Sequence, residues 1–496
     1  MTEPTKTNGT TPAGDTSRST ILLVTSSLLV DRIFKYSAVV NRLAETHNVV
    51  IWAASARSSD VSWNTAARVE PLPPILPFRE FPYNMLRRVN EFAWDFRHRI
   101  PSRMSMLRHV RNKRLPLSIR AMKLPARIVA WTRSENLFES SLERLLLGFP
   151  RSPEAENRLR ELAPEAVVIT GPFQFEQPAI FAAAKRLGIP VLAYIPSWDN
   201  VSTKNRMVFQ YDGYMVWSEH ARNELRDIYP AARNRPIYVV GAAQFDVFLS
   251  EKFMQSREDF CRGQGLDPEL PIILYTLGSP NFLQEHHGAL ELARRVADGA
   301  LGRVQMLVRP HPIHDRAEMH DMFSGFGPMI KVQRPADTAK SLVERSQDDE
   351  QVAEWINTFR HADVVVNLSS TVTVDASIFD TPVVNLDFDP RPERADQALV
   401  KDINHRWNHF KPVAESGGVW LVDNFDELVH AVRSYLRSPA LHRAQRRWIV
   451  DYVCGWIDGK CGKRMGDAIR DFAGRTAKNG SADFAPQTTT VPAEAR

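Results

Sequence analysis

"DVVVNLSSTVTVDASIFDTPVVNLDFDP", residues 363–390, decides how the whole chain is read. The runs at 363–369 and 381–388 are continuous in Val and Leu rather than alternating, the mark of strands buried on both faces. Between them "TVTVDASIFD" reads as a helix. Strand, helix and strand with no hairpin signal make a parallel crossover. Small hydroxyl residues, Ser369, Ser370 and Thr371, stand where the first strand gives way to the helix, and Asp375 follows one helical turn inside.

The same alternation runs in both directions from this unit. Strand-like runs at 19–27, 49–55, 165–171, 189–197, 213–218 and 235–242 form one series. Runs at 270–279, 304–312, 363–369, 381–388 and 419–424 form a second. Two series in tandem predict an α/β chain of two Rossmann-like domains, 20–248 and 249–445, whose parallel sheets face a cleft. A chain of 496 residues is also too long for one ordinary core. Helices over 446–474 close the chain. The polar tails at 1–19 and 475–496 are expected to be disordered.

Ligands of such sheets bind beyond the strands' carboxyl ends. In the second series those ends read "LGSPN", "VRPHP", "NLSST" and "LDFDP", and the four should converge on one rim. Backbone N–H groups at Ser369, Ser370 and Thr371, with the helix dipole, favour an anion. Arg309 is a forked donor suited to phosphate oxygens, and His311 can donate or transfer a proton. Pro310 and Pro312 stiffen the loop that carries them. Gly278 and Ser279 let a ligand come close to the backbone, and Asp375 can accept both hydroxyls of a ribose. Together these describe a diphosphate site built without a P-loop: there is no GxxxxGK[ST], and no GxGxxG follows Ile21–Thr25.

Composition excludes several other classes. Three cysteines (Cys261, Cys454, Cys461) are too few and too scattered for a disulfide framework or a zinc site. The first twenty residues have no apolar core of signal-peptide length, and nowhere do eighteen apolar residues run together. A cytoplasmic protein is expected, with peripheral contact at the inner face of the cell membrane. That contact is read from Arg79–Arg133, which holds fourteen Lys/Arg against three Asp/Glu, about +11 in a chain of net +5. A basic, partly amphipathic insertion (about 79–150) can lie on anionic lipid, with Arg111, Lys113 and Arg114 as contacts. No recognition motif for nucleic acid accompanies it.

With these residues in view, the chain resembles glycosyltransferases of the GT-B fold. More narrowly, it resembles bacterial surface-polysaccharide enzymes, the group that includes CDP-glycerol glycerophosphotransferase-like proteins. The matching segments are "YIPSWDNVSTK" (194–204), "YVVGAAQFDVF" (238–248), "RPHP" (309–312), "SSTVTVDA" (369–376), "PVVNLDF" (382–388) and "DGKCGKRMGDAI" (458–469). The resemblance implies that Ser370, Thr371 and His311 contact the nucleotide's phosphates and Asp375 its ribose, where the common pattern has Glu. It also implies a final helix that crosses back onto the first domain.

The first domain is then expected to hold the acceptor and the base. In "PSWDN" (196–200), Asp199 lies just past a strand end, where partial desolvation can raise a carboxylate toward neutral pH. Asp31 and Glu176 are further carboxylates at strand ends, and His311 serves if the transferred group is a phosphoglycerol. Trp198, Asn200 and Asp387 are read as contacts to acceptor or sugar. Neither a metal nor a resident cofactor is expected, because cationic side chains and helix dipoles can neutralise a leaving diphosphate. The expected function is transfer of a sugar from a UDP- or CDP-linked donor to a glycan or lipid-linked acceptor in envelope polysaccharide synthesis. CDP-glycerol-type phosphotransfer and UDP-N-acetylglucosamine 2-epimerisation are the alternatives.

Overall fold

The computed structural model describes residues 17–479 apart from 59, 60, 64, 112–114, 175, 281, 313, 315 and 334–344. Its first sheet has seven strands: β1 (Thr20–Thr25), β2 (Asn48–Ala53), β3 (Arg68–Pro71), β4 (Ala166–Ile169), β5 (Val191–Tyr194), β6 (Gly213–Val216) and β7 (Ile237–Val239). They are all parallel, in the order β3-β2-β1-β4-β5-β6-β7. The second sheet has six: β8 (Ile272–Thr276), β9 (Gln305–Arg309), β10 (Ile330–Val332), β11 (Val364–Asn367), β12 (Val383–Leu386) and β13 (Val419–Val422). Their order is β10-β9-β8-β11-β12-β13, again parallel throughout. In each sheet the first strand of the series lies beside the fourth. The direction of winding reverses there, opening a crevice at the β1/β4 and β8/β11 strand ends.

The central strands are buried on both faces, as their unbroken Val/Ile/Leu runs require. Two strands have no counterpart in the sequence reading, β3 and β10. Both are sheet edges, short and only partly buried, so neither carries a long apolar run.

Between β3 and β4 the chain builds helices at Tyr83–His98, Pro101–Met106, Leu117–Ala121, Lys123–Trp131, Glu135–Gly148 and Pro153–Leu162, with a π-turn at Leu107–Arg111. This insertion has its own small core of Val89, Phe92, Ala93, Leu107, Ile119, Ala126 and Ala130. Part of its positive charge is internal. Arg103 is fully buried on Asp95, and Arg87 is paired with Glu91. Of the expected lipid contacts, Lys113 and Arg114 lie outside the described residues, and Arg111 ends the π-turn.

The halves meet at several points. Ser102 of the insertion and Asn408 exchange hydrogen bonds at 2.6 and 3.0 Å. On the helix Leu28–Tyr36, Lys35 Nζ donates to the Gln347 carbonyl at 2.7 Å. The last helix, Cys461–Asn479, lies on the first half, with Arg42 bound to Asp467 and Tyr238 to Asp471. Two of the quoted segments are partners in this contact. Asp246 of "GAAQFD" accepts the N–H groups of Cys461 and Gly462 in "KCG". Gly241, at φ +82°, leaves room for the Cys461 sulfur that a Cβ would strike. The helix runs to Asn479, five residues into the segment read as a tail, because Phe472 and Ala473 are buried and anchor its last turns.

Candidate functional site

Strand register puts the rim residues in a row. Arg309 pairs with Thr276, and β11 and β12 pair at Asn367 and Asn385, one residue beyond the Val366–Tyr275 pair. Two residues further on, the four chains reach His311, Gly278, Ser369 and Asp387. Neighbouring strands lie about 4.8 Å apart, so the "VRPHP", "LGSPN", "NLSST" and "LDFDP" ends share one edge. Gly278 and Ser369 flank the switch point itself.

At the centre of the rim lies a carboxyl that the sequence reading missed. Glu285, just before the helix His286–Ala297, is buried and accepts the Gly278 N–H at 3.1 Å, and it also bonds the Leu368 N–H. It therefore ties the β8 loop to the β11 loop. Burial pushes its pKa up to about 8, against the lowering effect of those two amides, so at pH 7 the group is mostly neutral. A Cβ on Gly278 would fall inside van der Waals contact of this carboxyl. Gly278→Ala is thus expected to destabilise the protein by about 1–3 kcal/mol through overpacking. Urea unfolding measures this, and a wild-type midpoint would show that the loops yield freely.

The "NLSST" turn is strained and braced. Ser369 has φ 52°, a left-handed conformation that costs a non-glycine residue roughly 1–2 kcal/mol. Its hydroxyl donates to Asn404 at 2.5 Å, and Asn367 Oδ1 accepts the Ser370 N–H at 2.8 Å. Ser370 is half-buried, and Thr371 is exposed at the start of the helix Val372–Ile378. Asp387 faces into the same brace. It accepts from Asn404 (2.9 Å) and Lys401 (2.7 Å) and meets the His405 ring (2.8 Å), so its carboxylate secures the helix Gln397–Arg406. Asp389 is held by Arg391.

Beneath the rim is a charged cluster drawn from both halves. Asp375 is buried and accepts from Trp355 Nε1 at 2.8 Å. Arg32, on the helix after β1, lays its guanidinium 3.6 Å over the same Trp355 ring, with Arg309 and Asp375 as its charged neighbours. Arg309 donates to Gln333 at 2.5 Å. Burial raises the Asp375 pKa to about 6 in spite of Trp355 and the two guanidiniums. The cluster brings Arg32 and Arg309 together beside Asp375, with Glu354 as a further carboxylate near Arg309.

His311 is half-buried, and its N–H donates to His314 Nδ1 at 2.9 Å. Burial and His314 lower its pKa to about 4, so the ring is neutral at pH 7. Ser279 follows Gly278 at the loop's half-buried edge.

In the first half, Asp199 does not behave as the sequence reading expected. Burial alone would raise its pKa, but Lys204, His409 and the Ser197 and Thr203 hydroxyls outweigh burial and hold it below the ordinary value. Ser197 donates at 2.5 Å and Asn200 at 3.1 Å to one carboxylate oxygen. The expected rise toward neutral pH is absent because the carboxylate is well solvated by the protein. Trp198 packs its ring 4.9 Å from His409, across the junction of the two halves. Asp31 is raised to about 6 by burial and spans Thr25 and Ser55 (2.7 and 2.5 Å), while Glu176 pairs with Arg79. A surface cavity of about 520 Å³, lined by His287, Arg294, Phe388, Arg391 and Phe425 among others, takes in none of the phosphate candidates.

No protein-family model matches the sequence, and no curated protein does at a significant level. Solved structures are similar over nearly the whole chain. The Staphylococcus aureus protein MnaA, in a structure with UDP, shares 13% identity with a TM-score of 0.52, covering 92% of this chain and 97% of its own. A Listeria monocytogenes protein described as a UDP-N-acetylglucosamine 2-epimerase shares 12% identity, also with TM-score 0.52, covering 96% and 100%. Another UDP-N-acetylglucosamine 2-epimerase shares 13%, with TM-score 0.51, covering 96% and 99%. Likeness at such low identity is one of architecture. Two parallel Rossmann-type sheets, their switch-point edges and a returning last helix make this chain a GT-B-fold protein.

Proposed function

We propose that the chain is an enzyme that takes a sugar from a UDP- or CDP-linked donor and moves it to a glycan or lipid-linked acceptor. The observation that carries this reading is the meeting of Arg32 and Arg309, one from each half, beside the buried carboxylate of Asp375. The two guanidiniums lie under the loop that exposes Thr371 and half-buries Ser370. A diphosphate bound on that loop would draw on both forked cations, and the guanidiniums would stabilise it as it leaves. In this reading Ser369–Thr371, Gly278, Ser279 and His311 line the phosphates and Asp375 lies toward the ribose. Asp199, Trp198 and Asn200 face the acceptor side.

A second reading, epimerisation of a UDP-sugar, is supported by the architecture shared with two UDP-N-acetylglucosamine 2-epimerases over at least 96% of both chains. The two differ in what they need. An epimerase turns over UDP-N-acetylglucosamine alone, whereas a transferase releases nucleotide only when an acceptor is present. Incubation with UDP- and CDP-linked donors, with and without a lipid-linked glycan, followed by mass spectrometry separates them. Transfer is expected to form a glycosidic bond and to persist in EDTA. A phosphodiester product would assign a CDP-glycerol-type phosphotransferase instead, and no binding of any nucleotide would overturn the site.

A further inference from the structure

The helix Lys123–Trp131 is packed the opposite way to a helix made for water. It turns its small residues, Ala126 and Ala130, into the insertion's core and its large apolar ones outward. Leu124 is 69% exposed, Ile128 58% and Trp131 83%. Their spacing of four and three places them on one stripe, and Leu117, 78% exposed, lies on the short helix just before it. Nothing in the insertion's own packing needs these side chains outside. A helix that only covered the core would carry polar residues there.

The charge around this stripe has one sign. From Leu117 to Ser134 there are four basic residues (Arg120, Lys123, Arg127, Arg133) and no acid. Arg120, Arg127 and Arg133 are exposed, and none forms an ion pair among the described residues, although many of the chain's arginines do. Burial and the neighbouring Arg120 and Arg127 lower the Lys123 pKa, the direction expected for cations that repel one another. The insertion's mini-core and the Ser102–Asn408 bonds fix this face to the body of the protein.

We infer that the ridge Leu117/Leu124/Ile128/Trp131, ringed by Arg120, Arg127 and Arg133, is an interfacial anchor for an anionic lipid surface. Charge complementarity selects this occupant, since a second copy of the chain would bring the same positive ring against itself. The exposed indole and aliphatic side chains would sit among headgroups and upper acyl chains, and the guanidiniums would bind lipid phosphates. No helix among the described residues is long and apolar enough to cross a membrane, so attachment would be from one side. The residues differ from the Arg111/Lys113/Arg114 set read from sequence. The inference does not depend on the proposed chemistry.

Flotation of the full chain with vesicles of phosphatidylcholine alone, or with 30% phosphatidylglycerol, tests it. Binding is expected only to the anionic vesicles, falling with salt. The triple substitution Leu124→Ser/Ile128→Ser/Trp131→Ser should lower partitioning at least tenfold. Arg120→Gln/Arg127→Gln/Arg133→Gln should lower it by about fivefold per charge. All six positions are exposed, so both variants should keep the wild-type circular dichroism. Equal binding to neutral vesicles, or no binding to either, would overturn the anchor. So would a concentration-dependent dimer that the triple Ser variant abolishes, which would make the ridge a contact between copies.

Discussion

Arg32→Gln and Arg309→Gln should each weaken binding of a UDP- or CDP-sugar by about ten- to a hundredfold at pH 7.5, and the double variant should lose less than the product of the two. The size follows from charge-assisted hydrogen bonds to phosphate, worth roughly 1.5–3 kcal/mol each. The sub-additivity follows from geometry, because both guanidiniums border Asp375 and would serve one diphosphate. Neither loss should unfold the protein. With a cation removed, the Asp375 pKa rises further above 6, so the carboxyl takes up a proton while still accepting from Trp355.

The same cluster sets a pH dependence. Protonating Asp375 below about pH 6 removes the carboxylate that Arg32 and Arg309 share, which competes with phosphate for both. Affinity for a nucleotide sugar, whose diester phosphates stay ionised, should therefore rise as pH falls from 7.5 to 5.5. Calorimetry on the wild type, both single variants and the double variant measures all of this. Unchanged affinity in both single variants would remove the phosphate site from the second half altogether.

The sequence showed the fold more fully than the site. Eleven of the thirteen strands lie in apolar runs, because strands covered on both faces cannot afford polar residues. After β1 the chain forms two helices, Leu28–Tyr36 and Val39–Ala44, parted at Ser37, where Gly462 of the distant last helix packs close against the Ser37 side chain. At the rim, strand ends were legible because Gly, Pro, Ser and His interrupt apolar runs there. Glu285 and Arg32 were not, since each lies in a helix or its cap and reaches the rim only by folding. Asp199 was found by position, but its pKa depends on Lys204 and on His409 from the other half. Glu224 did leave a trace. In "EHARNELRDI" it sits with Ala221, Leu225 and Ile228 on the buried face, an acid at a core position.

That acid should make stability fall as pH rises. Glu224 is buried beside Ser202 and Asp199, and burial raises its pKa to about 8, from an ordinary value of 4.5. Between those two values the unfolded chain releases the proton and the folded chain keeps it. The folded state therefore binds more protons, and its stability declines from about pH 4.5 to about pH 8 before levelling off. At 1.36 kcal/mol per unit the loss approaches about 3–5 kcal/mol. Glu224→Gln keeps the shape and cannot ionise, so its urea midpoint should exceed the wild type's clearly at pH 8 and hardly at all at pH 5. Glu285, also raised to about 8, adds a loss of the same sign that this substitution leaves in place, so the variant should retain part of the slope. Asp199, a few residues from Ser202, shifts the other way, and Asp199→Asn should be costlier at pH 8 than at pH 3. An equal Glu224→Gln effect at pH 5 and pH 8 would mean that Glu224 is already ionised in the fold, with water or a cation reaching its carboxylate.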